Sequence, residues 1–180
     1  MLRAGVLRVT HARETMDGAG SNADSTGDPP LVRSAANSDL AGIEELLRAS
    51  DLPLVGVEDA LPTFVVAEDA GAIVGVAGLE IHEGHALLRS VAVAAQWRSR
   101  GLGRTLVERM IAQANARGLE SIHLLTTTAD RHFPTFGFAP ISREEMPQSL
   151  RASEEFTTAC PASATVMRLL CDRKSRDGKC

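Results

Sequence analysis

Tyrosine is absent from this 180-residue chain, so no phenolic hydroxyl can serve as a proton donor anywhere in it. Cysteine is scarce: Cys160, Cys171 and Cys180 are odd in number and lack close metal-ligand spacing, which argues against a disulfide scaffold and points to a reducing, cytoplasmic compartment. Because thiolates prefer soft ions, a three-thiolate site stands as an alternative use of these residues. No apolar run approaches the length of a membrane helix, since those near Val74 and Val91 are broken by Glu80, Arg89 and Gln96. A secretory signal and internal repeats are likewise not seen. Excess positive charge is missing too: the formal net charge of −4 argues against a broad nucleic-acid surface but leaves room for a local basic loop. The expected partner is a small molecule, with neither nucleic acid nor membrane.

The length suits one domain with flanking segments. Residues 1–30 are rich in Ala, Gly, Ser, Asp and Pro without helical or strand period, and are expected to be disordered. Residues 31–171 are expected to fold, and residues 172–180 to form a polar tail. Within the domain the pattern reads strand, helix, loop, hairpin, long strand, helix, strand, short helix and final strands, an alternation that predicts an α/β sheet. The first helix is predicted over residues 39–49, capped by Ser38, with Leu40, Ile43, Leu46 and Leu47 on its buried side. FVVAE at 64–68 and IVGVAGLEI at 73–81 flank the turn Asp69-Ala70-Gly71 and predict a hairpin.

The most informative stretch is 86–118. Residues 86–94 are dense in Leu and Val, which predicts a strand buried on both faces. After a polar turn, Leu102, Leu106 and Met110, with Val107, Ile111 and Ala114 beside them, make one apolar stripe on a helix that Arg117-Gly118 stops. Between strand and helix lies Arg98-Ser99-Arg100-Gly101-Leu102-Gly103. Its glycines allow a ligand close to the backbone, and the unpaired amides at the helix start favour an anion. Arg98, Arg100 and Arg104 add charge, so a diphosphate suits the site. Walker A is excluded because Arg104-Thr105 follows Gly103, and a dinucleotide fingerprint because Leu106 stands where Gly or Ala is required. An ordinary strand-to-helix turn with exposed arginines is the plain alternative.

Arg98-x-x-Gly101-x-Gly103 resembles the acetyl-CoA pyrophosphate loop of the GNAT N-acetyltransferases, written Gln/Arg-x-x-Gly-x-Gly/Ala. SIHLLTTTA at 121–129 and FPTFGF at 133–138 are similar to that family's next strand and Gly-Phe turn, so the resemblance runs over about residues 31–170. It implies a mixed twisted sheet flanked by helices, acetyl-CoA as cosubstrate and direct transfer in a ternary complex; no metal is expected, and a homodimer is the candidate assembly. By position, main-chain groups of Val91, Ala92 and Val93 would meet pantetheine and the thioester. Arg98, Ser99, Arg100, Gly101, Leu102, Gly103 and Arg104 would hold the diphosphate. The loop at 50–62 would lie near the acceptor. Many members carry a tyrosine where Phe133 stands, so the proton for the leaving sulfur would come from Thr126, Thr127, Thr128, His132 or water, or the thiolate would leave unprotonated.

Two residues invite chemistry on their own account. Glu80, at the end of the hairpin, is the candidate general base, with a solvated strand-end carboxylate as the alternative. His82 and His85 are expected at the surface. Arg89 interrupts an apolar strand and must meet a counter-charge, either an acceptor oxyanion or a carboxylate of the protein, and Ser90 would add a hydrogen bond. An acceptor with both an amine and an oxyanion follows from the first choice. ALLRSVAV, RGLG, HLLTTTA, FGF and Cys160-Pro161-Ala162-Ser163-Ala164 together look like the acetyltransferases of arsenic-resistance operons. That resemblance implies acceptors such as arsinothricin or phosphinothricin, amino acids with an arsinate or phosphinate side chain. FTTACPASA at 156–164 is read either as a wall of the acceptor cleft or as a strand-entry loop. Two other classes of function remain: a noncatalytic acyl-CoA sensor, and an arsenic-binding protein using its three cysteines.

Overall fold

Seven strands form one sheet in the order β1-β2-β3-β4-β5-β7-β6 in the computed structural model, which describes residues 28–127, 131–153, 156–157 and 163–172. The strands are β1 (Leu31–Ser34), β2 (Val65–Asp69), β3 (Ala72–His82), β4 (His85–Val93), β5 (Ser121–Thr126), β6 (Ala139–Ile141) and β7 (Thr165–Leu170). Among the described residues four α-helices accompany them: α1 (Leu40–Ala49), α2 (Val57–Ala60), α3 (Leu102–Ala116) and α4 (Gln148–Arg151). This is the α/β architecture the alternation predicted. Residues 1–27, Cys160 and the tail beyond Asp172 lie outside the described residues.

The hairpin forms as its pattern requires, with Asp69 opposite Ala72 and a register shift after Ala67. A second hairpin joins β3 to β4, His82 facing His85. The neighbours β4 and β5 run parallel, and the crossover between them is α3. Leu102, Leu106, Val107, Met110 and Ala114 lay α3 onto one face of the sheet, against Val65, Ala67, Leu79, Leu88 and Ile122. The other face carries two separate apolar clusters. Ile43, Leu46 and Leu47 of α1 cover Val66, Val76 and Ala92, while Leu150 and Met146 cover Leu87, Leu125 and Val166.

The start of α1 differs from expectation. A 3-10 turn, Asn37–Asp39, precedes it, and no Ser38 side chain caps it. Instead the Asp39 carboxylate accepts from the Ala36 amide at 2.7 Å and pairs with Arg33 at 2.6 Å, which holds the carboxyl below the usual carboxylate range. Arg33 also bonds Glu68 of β2, so one guanidinium ties the first strand, the second strand and the helix start together. The short helix predicted before the Gly-Phe turn is a 3-10 turn, Phe133–Phe136, ended by Gly137.

On the face away from α3, His123 of β5 is fully buried. Burial, with the positive charge of His85 and Arg168 nearby, pushes its pKa down to about 4. The unfolded chain takes up this proton near pH 6.5, whereas the folded chain refuses it until about pH 4. Stability therefore falls as pH drops through that interval, by about 3 kcal/mol in all. Denaturant titrations at pH 7 and pH 4.5 should show the loss, and His123→Leu should flatten it.

Candidate active site

The pairing of β4 with β5 is brief. It covers His85 with Ser121, Ala86 with Ile122 and Leu87 with His123, and then stops. Beyond that point β4 stays paired with β3 as far as Val93, and β5 stays paired with β7 as far as Thr126. The two central strands therefore diverge, and the main-chain edge of β4 from Leu88 onward turns toward a gap rather than toward β5. A bulge sharpens the divergence: Val76 pairs with Ala92 and Gly78 with Arg89, so one residue of β3 opposes two of β4, and Ser90 takes φ +55°.

At the end of the gap the chain turns through Ala95–Trp97 and enters α3. Ser99 and Gly101 both have positive φ, +60° and +84°, and Gly101 is the N-cap of α3. Alternating handedness of this kind gathers successive N–H groups into a concave donor surface, and the helix dipole reinforces it. A side chain at Gly101 would meet the left-handed penalty, yet a Cβ there would touch no other part of the protein. A Cβ at Gly103 would lie 3.7 Å from Val93, an ordinary contact. The protein's own packing therefore leaves space over both glycines, which is the property a bound diphosphate needs.

Gap and turn open into one cleft of about 340 Å³. Val91, Ala92 and Val93 of β4 line it together with Arg98, Ser99, Gly101, Gly103 and Arg104 of the turn and helix start, and with His132 and Phe133. Arg98 is braced by donating to the Val93 carbonyl at 3.0 Å. Two residues of the loop sit differently: Leu102 is buried in the core, and Arg100 lies over the Trp97 ring at 5.3 Å. Arg104 pairs with Glu108 and lies over Phe136. Trp97 and Ser50 also reach the cleft; Ser50 opens the 50–62 loop expected near the acceptor, whereas sequence reasoning assigned Trp97 no role. Trp97 adjoins the basic loop, a usable signal; Ser50 ends α1 and comes near only through the fold.

Arg89 and Glu80, read separately from the sequence, meet in one ion pair. Arg89 is fully buried and donates from Nη1 to Glu80 Oε2 at 2.9 Å, and from Nη2 to the Val55 carbonyl. It lies on β4 between Leu87 of one apolar cluster and Ala92 of the other. The second oxygen of Glu80 bonds His82 Nε2 at 2.8 Å, and that histidine is partly exposed. Arg89 thus anchors the loop between α1 and α2 to the sheet. Gly56 in that loop has φ +72°, and a Cβ on it would come within 2.9 Å of Arg89 Nη1, so only glycine fits. Ser90 is buried, with its hydroxyl 3.5 Å from Arg89 Nε. Of the suggested sulfur-side donors, Thr126 is buried and Thr127 exposed, Thr128 lies outside the described residues, and His132 reaches the cleft. Cys171 is buried and its thiol pKa is raised by that burial, and no group of three metal-ligating side chains is found among the described residues.

A seven-stranded mixed sheet that parts between β4 and β5, with a glycine turn at the N-terminus of the crossover helix, is the architecture of the GNAT acyltransferases. The model of the Acetyltransferase (GNAT) family matches residues 34–138, and the chain belongs to this family. It is 35% identical over 134 residues to an amino-acid acetyltransferase of Pseudomonas fluorescens, covering 68% of this chain and 30% of that protein. A second amino-acid acetyltransferase, from Pseudomonas paraeruginosa, is 32% identical over 170 residues, 84% of this chain and 39% of the relative. The chain thus spans roughly a third of the length of these relatives. Among solved structures, N-acetylglutamate synthase of Neisseria gonorrhoeae, in complex with coenzyme A and N-acetyl-glutamate, superposes with a TM-score of 0.70 at 21% identity, covering 79% of this chain and 35% of that one. No helix among the described residues is long and apolar enough to cross a membrane.

Proposed function

We propose that this protein transfers the acetyl group of acetyl-CoA directly to the α-amine of a small acidic amino acid. The observation that carries the reading is the meeting of the β4/β5 gap and the glycine turn in a single cleft. A diphosphate on the Gly101–Gly103 amides places pantetheine along Val91, Ala92 and Val93, where a main-chain N–H can polarise the thioester carbonyl. Arg98, Ser99 and Arg104 line the diphosphate end. Arg100 and Leu102 contribute there through charge and backbone respectively.

Glu80 is assigned as the base. Bonded to both Arg89 and His82, it can take a proton from the acceptor's ammonium group, and His82 can pass that proton outward. Arg89 and Ser90 are assigned to the acceptor's side-chain oxyanion, which would share the guanidinium with Glu80. The names of the relatives support an amino acid as acceptor. Within that class, we favour side chains ending in carboxylate, phosphinate or arsinate, the last two being what the arsenic-resistance resemblance implies.

Thiol release from acetyl-CoA, measured across a panel of amino acids with carboxylate, phosphinate, arsinate or neutral side chains, tests the reading. Turnover is expected with the anionic members and not with the neutral ones. Intact CoA binding without thiol release from any amine would instead make the protein a sensor.

A further inference from the structure

Resting on the acetyl-transfer reading, we infer that His132 donates the proton that CoA sulfur gains on leaving. When the amine nitrogen attacks the thioester carbon, a C–N bond forms, the C–S bond breaks and its electron pair goes to sulfur. The imidazolium of His132 gives its proton to that thiolate, yielding CoA thiol and a neutral ring, which then recovers a proton from water. The acceptor ammonium gives one proton to Glu80 before attack and its nitrogen loses a second to water afterwards; with one proton gained by sulfur, an ammonium substrate yields the acetamide, CoA thiol and one net proton.

The polar side chains in the wall of the cleft are Ser50, Arg98, Ser99, Arg104 and His132. Guanidinium groups keep their protons, and a serine hydroxyl is a far weaker acid than a thiol. Among the described residues of the wall, His132 carries the one side chain that ordinarily exchanges a proton near neutral pH. Its position is set by two neighbouring rings, Phe133 at 5.8 Å and Phe136 at 5.2 Å, both edge to face and themselves 6.3 Å apart. The Thr135 hydroxyl donates to the His132 carbonyl at 2.7 Å and fixes the backbone of that turn. Phe133 is fully buried, so the imidazole stands at the boundary between the core and the cleft.

His132→Phe keeps a ring in this stack and removes the proton. It should lower kcat by about 100-fold or more while CoA affinity stays within about 2-fold. His132→Ala should show the same loss, and imidazole in the buffer should restore part of kcat in proportion to its concentration. A His132→Phe protein with the parent kcat overturns the assignment. So does a loss of rate matched by lost CoA affinity, or an Ala variant that imidazole never rescues. Parent protein that binds CoA and releases no thiol overturns the transfer reading itself.

Discussion

Gly101→Asp should weaken CoA binding by at least about 100-fold, close to 3 kcal/mol, and acetyl transfer should vanish with it. Two effects add. Gly101 sits at φ +84°, where an L-residue costs about 1–2 kcal/mol. The new carboxylate would also stand where the diphosphate is expected, and juxtaposed like charges cost several kcal/mol. Gly103→Ala separates the fold from the site: its methyl would lie 3.7 Å from Val93, an ordinary contact, so the protein should fold as the parent does. Trp97 is the chain's single tryptophan and borders the cleft, so its fluorescence reads CoA binding directly. Full affinity in Gly101→Asp would remove the diphosphate from this turn.

Arg89→Ala should cost about 3–5 kcal/mol of stability, because it leaves the partly buried Glu80 without its counter-charge and opens a hole between two apolar clusters. For a chain of this size that is a fall in Tm of roughly 6–20 °C. Glu80→Gln should cost less, since an amide can still accept from the guanidinium. Replacing both residues with Leu should recover much of the loss, as buried pairs usually tolerate apolar substitution better than the loss of one partner. The kinetic signature is separate: in whatever Arg89 variant stays folded, acceptor KM should rise while Trp97 reports unchanged CoA affinity. A KM change confined to acetyl-CoA would reject the acceptor role.

The glycine turn was legible because it is local. Every group that shapes the anion site, from Arg98 to Arg104, lies within a few residues of chain, and backbone freedom at Gly101 can be read from composition alone. The strand before it and the helix after it carried strong periodicity, and their observed limits, His85–Val93 and Leu102–Ala116, lie within two residues of expectation. Weak local signals fared worse. Ser38 looked like a cap, but Asp39 had Arg33 within reach and its carboxylate took the amide of Ala36 instead. The segment before Gly137 is too short and too rich in Phe and Pro for an α-helix, and closes as a 3-10 turn.

Sequence by itself determined that a basic, glycine-containing turn would join a buried strand to an amphipathic helix, since periodicity and backbone freedom act between near neighbours. It also required that Arg89 find an opposite charge, because an isolated buried guanidinium is too costly. Tertiary structure alone decided which charge: Glu80 lies nine residues away across a hairpin, and a bulge at Ser90 brings Arg89 to the face where Val55 and Gly56 close over it. It also decided where β4 leaves β5, and hence that a cleft exists for the turn to serve. Strand divergence and side-chain pairing depend on register between distant segments, and no local pattern encodes that register.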